Sequence, residues 1–446
     1  AYNADSAMIP LLLSSILTSL VGFFPMIFVA PTDTLSNKEA YVILVFSWLV
    51  VCLFGMLPYL LWGGEFTVVN SWFEIVSGFT TTGSTILTNV ESLPKGLLFW
   101  RSATHWIGGI GIILFVLVII PTLGKTRMYL SRLEMSSLAK ANFHYKSNKL
   151  LRVVIIVYLG LTLVETVLLY SFGMSLFDAV THTFGTVATG GFSTKNSSIG
   201  HFNSIAIEIV IIIFMFLSGM HFGVLYNIFT FKNVKWYKSS VLKFYFFSML
   251  LGVVLIALSV KGNNYQTWGE ALRFSAFQLV SLASTTGYAT ADTTLWPPFS
   301  IMVLFYFLFQ CACAGSTAGG IKVDRMVIFF KSIRRQVMKL QHPQAVIPIR
   351  IDGNPIDDDT VYSVLLFIVL YILILFVNGL LLTTMGVDMM TAFSASAATI
   401  STAGPGFGEV GTVSNFASIP DLGKVLLSFN MLLGRLEIFG LMLIFF

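Results

Sequence analysis

Four short loops recur along this chain, each between apolar segments: Thr80-Thr81-Thr82-Gly83, Val187-Ala188-Thr189-Gly190, Ser284-Thr285-Thr286-Gly287 and Ser401-Thr402-Ala403-Gly404. Their glycines stand 107, 97 and 117 positions apart. A unit of about a hundred residues repeated four times predicts a pseudo-fourfold arrangement around a pore. Glycine opens backbone angles closed to other residues, so such loops can turn carbonyls toward one axis. Four ordinary helix C-caps ending on glycine would not explain recurrence at matched places.

The solvent for such a chain is lipid. Of 446 residues, 56% are hydrophobic and 11% charged, against about a quarter charged in soluble domains. Apolar runs long enough to span cover roughly 8–30, 41–62, 98–121, 149–172, 204–231, 239–260, 299–312, 360–385 and 422–446; about 20 apolar residues cross a bilayer. Between them, each glycine loop follows a stretch of some ten residues, enough helix for about 15 Å, or half a membrane. Each unit therefore reads as span, re-entrant half-helix, loop and span, because non-helical backbone at membrane depth must be buried or line water. The units are 39–146, 147–236, 237–350 and 351–446, with 1–38 as an extra N-terminal transmembrane segment. The fold class is an all-α integral membrane protein with one ion pore per subunit. The three cysteines, Cys52, Cys311 and Cys313, cannot build a disulfide framework.

Three connections, 122–152, 232–243 and 322–350, hold 18 of the 26 Lys and Arg residues. The positive-inside rule places them in the cytoplasm and the glycine loops on the opposite side. Each basic cluster flanks a span, which argues for a lipid boundary and against nucleic acid.

The loops, with their flanks, resemble the Trk/Ktr/HKT superfamily of potassium transporters, and within it the bacterial TrkH proteins. The likeness rests on Thr80-Thr81-Thr82-Gly83-Ser84, Ala188-Thr189-Gly190-Gly191-Phe192-Ser193, Thr285-Thr286-Gly287-Tyr288 and Ala403-Gly404-Pro405-Gly406, and covers nearly the whole chain. It implies four membrane-pore-membrane repeats, a homodimer, a K⁺ path through each subunit and a cytoplasmic ring of TrkA-type nucleotide-binding (RCK) regulatory subunits. It also implies a bacterial cytoplasmic (inner) membrane location. Relatives of this kind carry two extra N-terminal helices, of which this sequence shows one, as a trimmed chain would. Gly83, Gly190, Gly287 and Gly404 match the filter glycines; Thr81, Thr82, Ala188, Thr189, Thr285, Thr286, Thr402 and Ala403 precede them. In that register Ala403 stands where the other loops have Thr82, Thr189 and Thr286, so the filter is imperfectly fourfold. K⁺ is the transported ion, and no organic cofactor is implied.

The run Cys311-Ala312-Cys313-Ala314-Gly315-Ser316-Thr317-Ala318-Gly319-Gly320, followed by Ile321 and Lys322, interrupts an apolar span with small residues. Paired glycines cannot hold a stiff helix unaided, so it reads as a loop inside the third repeat's second span. It lacks the Gly-Lys-Ser/Thr of a phosphate loop and further nearby Cys or His for a metal. Tight helix packing by small residues is the remaining alternative. The resemblance names this stretch as the gate. Arg435 lies at a similar depth in the last span, where a charge faces a cavity or partner unless it snorkels to the headgroups. Gly315, Ser316, Thr317, Gly319, Gly320, Lys322 and Arg435 are thus the gate residues.

Glu165 and Glu208 are candidates for cation coupling or structural hydrogen bonding. Glu74 and Asp178 read as first-turn acids of the half-helices or as an outer cation-attracting ring. His105 reads as a packing residue, His182 as a brace for its loop, and Asp357-Asp358-Asp359 as a helix start. The function this predicts is potassium uptake through a backbone-carbonyl filter with a gate. Rivals are a K⁺ symporter coupled to H⁺ or Na⁺, another alternating-access transporter, and an intramembrane enzyme. The last is disfavoured because no catalytic constellation is present.

Overall fold

The computed structural model describes residues 5–29, 37–111, 147–230, 239–436 and 438. The basic stretch 122–146, Lys232, Lys235 and Lys238, and the far end of the last apolar run lie outside the described residues.

Helix α1 (Met8–Phe28) comes first. Then follow α2 (Asn37–Gly55), α3 (Leu57–Trp62), α4 (Val68–Phe79) and α5 (Lys95–Ile110). The second stretch holds α6 (Ser147–Ser171), α7 (Leu176–Val187), α8 (Ile205–Ser218) and α9 (Phe222–Phe229). The third holds α10 (Ser240–Val260), α11 (Trp268–Ala283), α12 (Pro298–Phe309) and α13 (Val323–Gln341). A two-stranded antiparallel hairpin, Arg350–Ile351 with Asn354–Pro355, leads to α14 (Asp358–Thr384), α15 (Met389–Ile400) and α16 (Asp421–Arg435).

Among the described residues, five stretches are long and apolar enough to cross a membrane: Met8–Phe28, Val42–Trp62, Arg152–Ser171, Ser240–Val260 and Asp358–Thr384. Helix α14 shows why. Val361, Val364, Ile368, Tyr371, Leu375 and Leu382 are buried, while Tyr362, Leu366, Val369, Leu373, Phe376 and Leu380 are exposed. Both stripes keep helical spacing and both are apolar, so the outward face is built for hydrocarbon. Its start is capped by Asp357, which accepts from the Thr360 amide and hydroxyl. Those hydrogen bonds hold the Asp357 carboxyl below its ordinary range.

Helices α4, α7, α11 and α15 are short, and each begins on a side-chain cap. Thr67 accepts the Asn70 amide, Ser175 that of Asp178, Thr267 that of Glu270, and Asp388 those of Met390 and Thr391. Twelve helical residues, the length of α4, α7 and α15, reach only about 18 Å. Packing runs in a closed order: α5 lies on α7, α8 on α11, α12 on α15, and α16 back on α4. The C-terminal ends of the four short helices meet inside this circle.

One apolar run is not the single span expected, and a second is interrupted as its small residues suggest. The run 204–231 breaks at Gly219–His221, and α8 and α9 diverge by 112°. The run 299–312 supplies only the twelve-residue α12 before the chain leaves the helix at Gln310. Hydropathy counts residues but cannot see where main-chain hydrogen bonds leave the helix for a neighbour.

The fourth stretch is held by a buried amide network. Asn378 Nδ2 donates to Asn430 Oδ1 at 2.6 Å, and Asn430 Nδ2 reaches Ser396 and Thr399. Asn430→Leu strands the Asn378 amide among apolar neighbours and costs about 1–3 kcal/mol. The expected result is a lower melting temperature in detergent; an unchanged one would mean that the network adds nothing to stability.

Candidate functional site

The four short helices end alike. Thr80, Ala188, Ser284 and Ser401 are their C-caps. Next come Thr81, Thr189, Thr285 and Thr402, with φ of 57°, 56°, 59° and 54°. A β-branched residue in the left-handed region is an outlier costing of order 1–3 kcal/mol; four at one position describe a built conformation. Thr82, Gly190, Thr286 and Ala403 then donate their amides five residues back, to Ser77, Gly185, Ser281 and Ala398. Gly83, Gly191, Gly287 and Gly404 follow at φ of 85°, 80°, 82° and 90°.

This pattern corrects the register of the second loop by one residue. Gly191, not Gly190, stands with the other three glycines, and Thr189 stands with Thr81 rather than Thr82. Two adjacent glycines gave the sequence two anchors, and only the backbone angles separate them. Gly190 has a different constraint: a Cβ there would collide with the His105 ring.

The glycines interlock in a cycle. A Cβ on Gly83 would overlap the carbonyl oxygen of Gly190, and one on Gly191 that of Thr286. One on Gly287 would overlap that of Ala403, and one on Gly404 would press on that of Thr82. Each loop thus lays its glycine against the next loop's carbonyl, and the fourth returns to the first. All four glycines line one pocket.

Side chains brace this ring. Ser84 Oγ donates to the Gly404 carbonyl at 2.8 Å. The Tyr288 hydroxyl donates to His182 O at 2.9 Å and lies 3.3 Å from Phe192 O. His105 Nδ1 lies 2.7 Å from Gly78 O, and its ring stacks on Phe192. His182 Nε2 is 2.9 Å from Ser193 Oγ. Asp178, in the first turn of α7, accepts from Thr194 and Ser175.

Glu74 departs from the sequence reading. It sits midway along α4, fully buried, so it belongs neither to a first turn nor to an outer ring of charge. Its carboxylate accepts from Arg101 Nε at 2.8 Å, Thr85 Oγ1 at 3.0 Å and the Ile86 amide at 3.0 Å. Arg101 also donates to Ser193 O at 3.1 Å and lies 4.1 Å from the Phe192 ring centroid. Arg101 was missed in the sequence; its place inside an apolar run was the available signal. Glu208 is bound by Arg273 through hydrogen bonds of 2.6 and 2.5 Å, and Glu165 is buried in α6.

Beneath the ring lies the small-residue loop between α12 and α13. Its neck is pinned by Cys311 N–H to Ile321 O and Val323 N–H to Ala312 O, both 3.0 Å, and by Ala314 N–H to Asp324 at 2.7 Å. It is also stitched to the break between α8 and α9: Cys313 donates to Gly219 O, and Phe222 donates to Gly315 O. Gly315 and Gly320 take positive φ, and Ser316 Oγ donates to Cys313 O. Lys322 precedes α13 and donates to Ala318 O.

The tip of this loop reaches the left-handed threonines. Thr189 Oγ1 is 3.3 Å from Thr317 Oγ1, which donates to Val187 O at 3.1 Å. The Gly319 amide donates to Thr285 Oγ1 at 3.2 Å, and Gly319 lies flush against Thr402 Oγ1. Arg435 completes the set, donating to Thr81 Oγ1 at 3.2 Å and Thr317 O at 2.6 Å. Its other amino group donates to the Gly108 and Gly109 carbonyls that end α5. The guanidinium therefore faces protein carbonyls rather than headgroups.

A family model described as TrkH, cation transport protein, matches residues 14–446. The chain is 36% identical over 415 residues to the Trk system potassium uptake protein TrkH of Salmonella typhimurium, spanning 92% of this chain and 86% of that protein. It is 33% identical over 428 residues to the Trk system potassium uptake protein TrkG of Escherichia coli, spanning 92% and 85%. Among solved structures, the crystal structure of the potassium transporter TrkH from Vibrio parahaemolyticus matches with a TM-score of 0.86 at 31% identity, covering 99% of this chain and 92% of that one.

The two neighbouring glycines differ in what obstructs a side chain. Gly191→Ala meets main chain at a strained φ and is expected to abolish the folded protein or its flux. Gly190→Ala meets an imidazole, so the double variant with His105→Ala recovers stability that Gly190→Ala alone loses. Equal damage from both, with no recovery, would overturn the assignment of Gly191 to the ring.

Proposed function

Because the chain belongs to the TrkH family of cation transport proteins, we propose that it carries potassium across the bacterial inner membrane through the ring of glycine loops. The observation that carries this is the cyclic interlock of Gly83, Gly191, Gly287 and Gly404 around one pocket. Loops crossing at membrane depth with their backbones in register are suited to replacing an ion's hydration shell with carbonyl oxygens. Gly190, Thr82, Thr286 and Ala403 supply the carbonyls pressed against the neighbouring glycines, and Thr81, Thr189, Thr285 and Thr402 the hydroxyls below. The membrane potential, about 2.3 kcal/mol per charge per 100 mV, drives the ion inward.

The loop of residues 311–320, with Arg435, is the gate in its closed position. Thr317 and Gly319 stand where an ion leaving the threonine layer must pass, and the guanidinium adds a positive charge. Withdrawing the loop tip breaks three or four hydrogen bonds. At about 1 kcal/mol each, and 1.5–3 for those of a charged donor, opening costs roughly 4–6 kcal/mol. That lies near the roughly 5.5 kcal/mol with which a binding partner reverses a two-state equilibrium. The Trk system named for the relatives fits a homodimer that docks a TrkA-type nucleotide-binding ring on its cytoplasmic face and draws this energy from it.

Reconstituted in liposomes, the protein is expected to pass K⁺ and Rb⁺ readily and Na⁺ and Li⁺ less well, with no dependence on a pH gradient. Equal Na⁺ and K⁺ flux would refute the filter, and strict dependence on the gradient would favour a symporter. Arg435→Ala is expected to raise flux without any partner present. Unchanged basal flux at normal expression would refute the gate.

A further inference from the structure

The pocket at the mouth of the glycine ring has an unexpected charge. None of residues 311–320 lines it, so it lies on the side away from the gate loop. Two basic residues, Arg101 and Lys195, contribute to its lining, and among the described residues no Asp or Glu does. A path that concentrated cations by attraction would carry the opposite sign.

The two cations are not equivalent. Arg101 is neutralised by Glu74 at 2.8 Å. Lys195 forms no ion pair among the described residues; its main-chain amide donates to Ser193 Oγ at 3.0 Å. Carboxylates on the neighbouring segments offset part of its charge, since Asp178 lies within electrostatic reach of Lys195. Asp178 accepts from Thr194 and Ser175, and Glu91 accepts the Asn196 amide. Lys195 is half-buried at the border of the pocket, so its charge acts on the cleft while solvent ions still reach it.

We propose, resting on the ion path through the glycine ring, that Lys195 is a specificity-determining residue that favours monovalent over divalent cations at the mouth of the ring. The physical reason is the charge dependence of the Boltzmann factor. A fixed positive charge lowers the local concentration of a monovalent cation by some factor and that of a divalent cation by the square of it. For a charge about 10 Å away in a partly aqueous cleft, the factor is roughly two to four, and its square roughly four to sixteen. The lysine thus slows K⁺ capture modestly and protects the carbonyl ring strongly from divalent ions, which would bind those oxygens tightly and block.

The test uses purified full-length protein in liposomes, reading Rb⁺ flux with Ba²⁺ as blocker on both faces. Lys195→Gln is expected to lower the half-saturating Rb⁺ concentration roughly two- to fourfold and the half-blocking Ba²⁺ concentration by the square of the measured factor. Both shifts shrink toward wild type when N-methylglucamine chloride brings ionic strength to about 1 M, where the Debye length is about 3 Å. Lys195→Arg, which keeps the charge, behaves as wild type. Unshifted values, equal shifts for Rb⁺ and Ba²⁺, or shifts that survive high salt would overturn the assignment. The underlying path is checked separately. If folded Gly83→Ala and Gly404→Ala proteins keep wild-type Rb⁺ saturation and selectivity, the ring is not the path. If those variants fail while Lys195→Gln is silent, the role of Lys195 alone is wrong.

Discussion

Backbone can approach backbone only where there is no side chain between them, and the centre of this protein is built on that fact. At Gly83, Gly191, Gly287 and Gly404 a single Cβ would press on or overlap a carbonyl oxygen of the adjoining loop. The four contacts close on themselves, so none can be loosened without disturbing its neighbours. Holding the chain in this shape also keeps four threonines at positive φ, a strain of several kcal/mol in sum. The surrounding packing of α5 on α7, α8 on α11, α12 on α15 and α16 on α4 is the frame that makes the strain tolerable.

Buried charge serves the same end. The Glu74–Arg101 pair is buried, where an unpaired ion would be ruinous. Every hydrogen bond it makes goes to a loop next to the ring: Thr85, Ile86 and Ser193. Arg435 plays the matching part on the opposite side, joining the end of α5, the first loop and the tip of the small-residue loop. The two guanidiniums bracket the ring, one compensated by a carboxylate and one by carbonyls. In the proposed mechanism that difference matters: the first arginine is fixed, while the second is released when its carbonyl partners move. In the same proposal Lys195 adds a third positive charge at the mouth, so that selection by charge and selection by oxygen geometry would act in series.

The small-residue loop shows how two breaks stabilise each other. Helix α8 stops at Ser218 and α12 at Phe309, leaving main-chain groups that lipid cannot satisfy. They satisfy one another through Cys313 to Gly219 and Phe222 to Gly315. The break at Gly219 carried no sequence mark as plain as the glycine-rich run, which is why 204–231 looked like one span. The break at 310–322 was legible, because ten consecutive small residues cannot form a stiff membrane helix.

Taken alone, the sequence determined the solvent, the helical class, the four loops and the small-residue run. Each rests on composition or spacing, which are local and survive in one dimension. Arg435 was also visible, since a charge inside an apolar run is costly wherever it points. Tertiary structure decided what depends on neighbours distant in the chain: the one-residue shift that brings Gly191 into the ring, the burial of Glu74 against Arg101, the bend after α8, and the placing of Lys195 at the mouth. A glycine needed for φ and a glycine needed for space look the same in a string of letters, and only the folded backbone with what lies across the gap tells them apart.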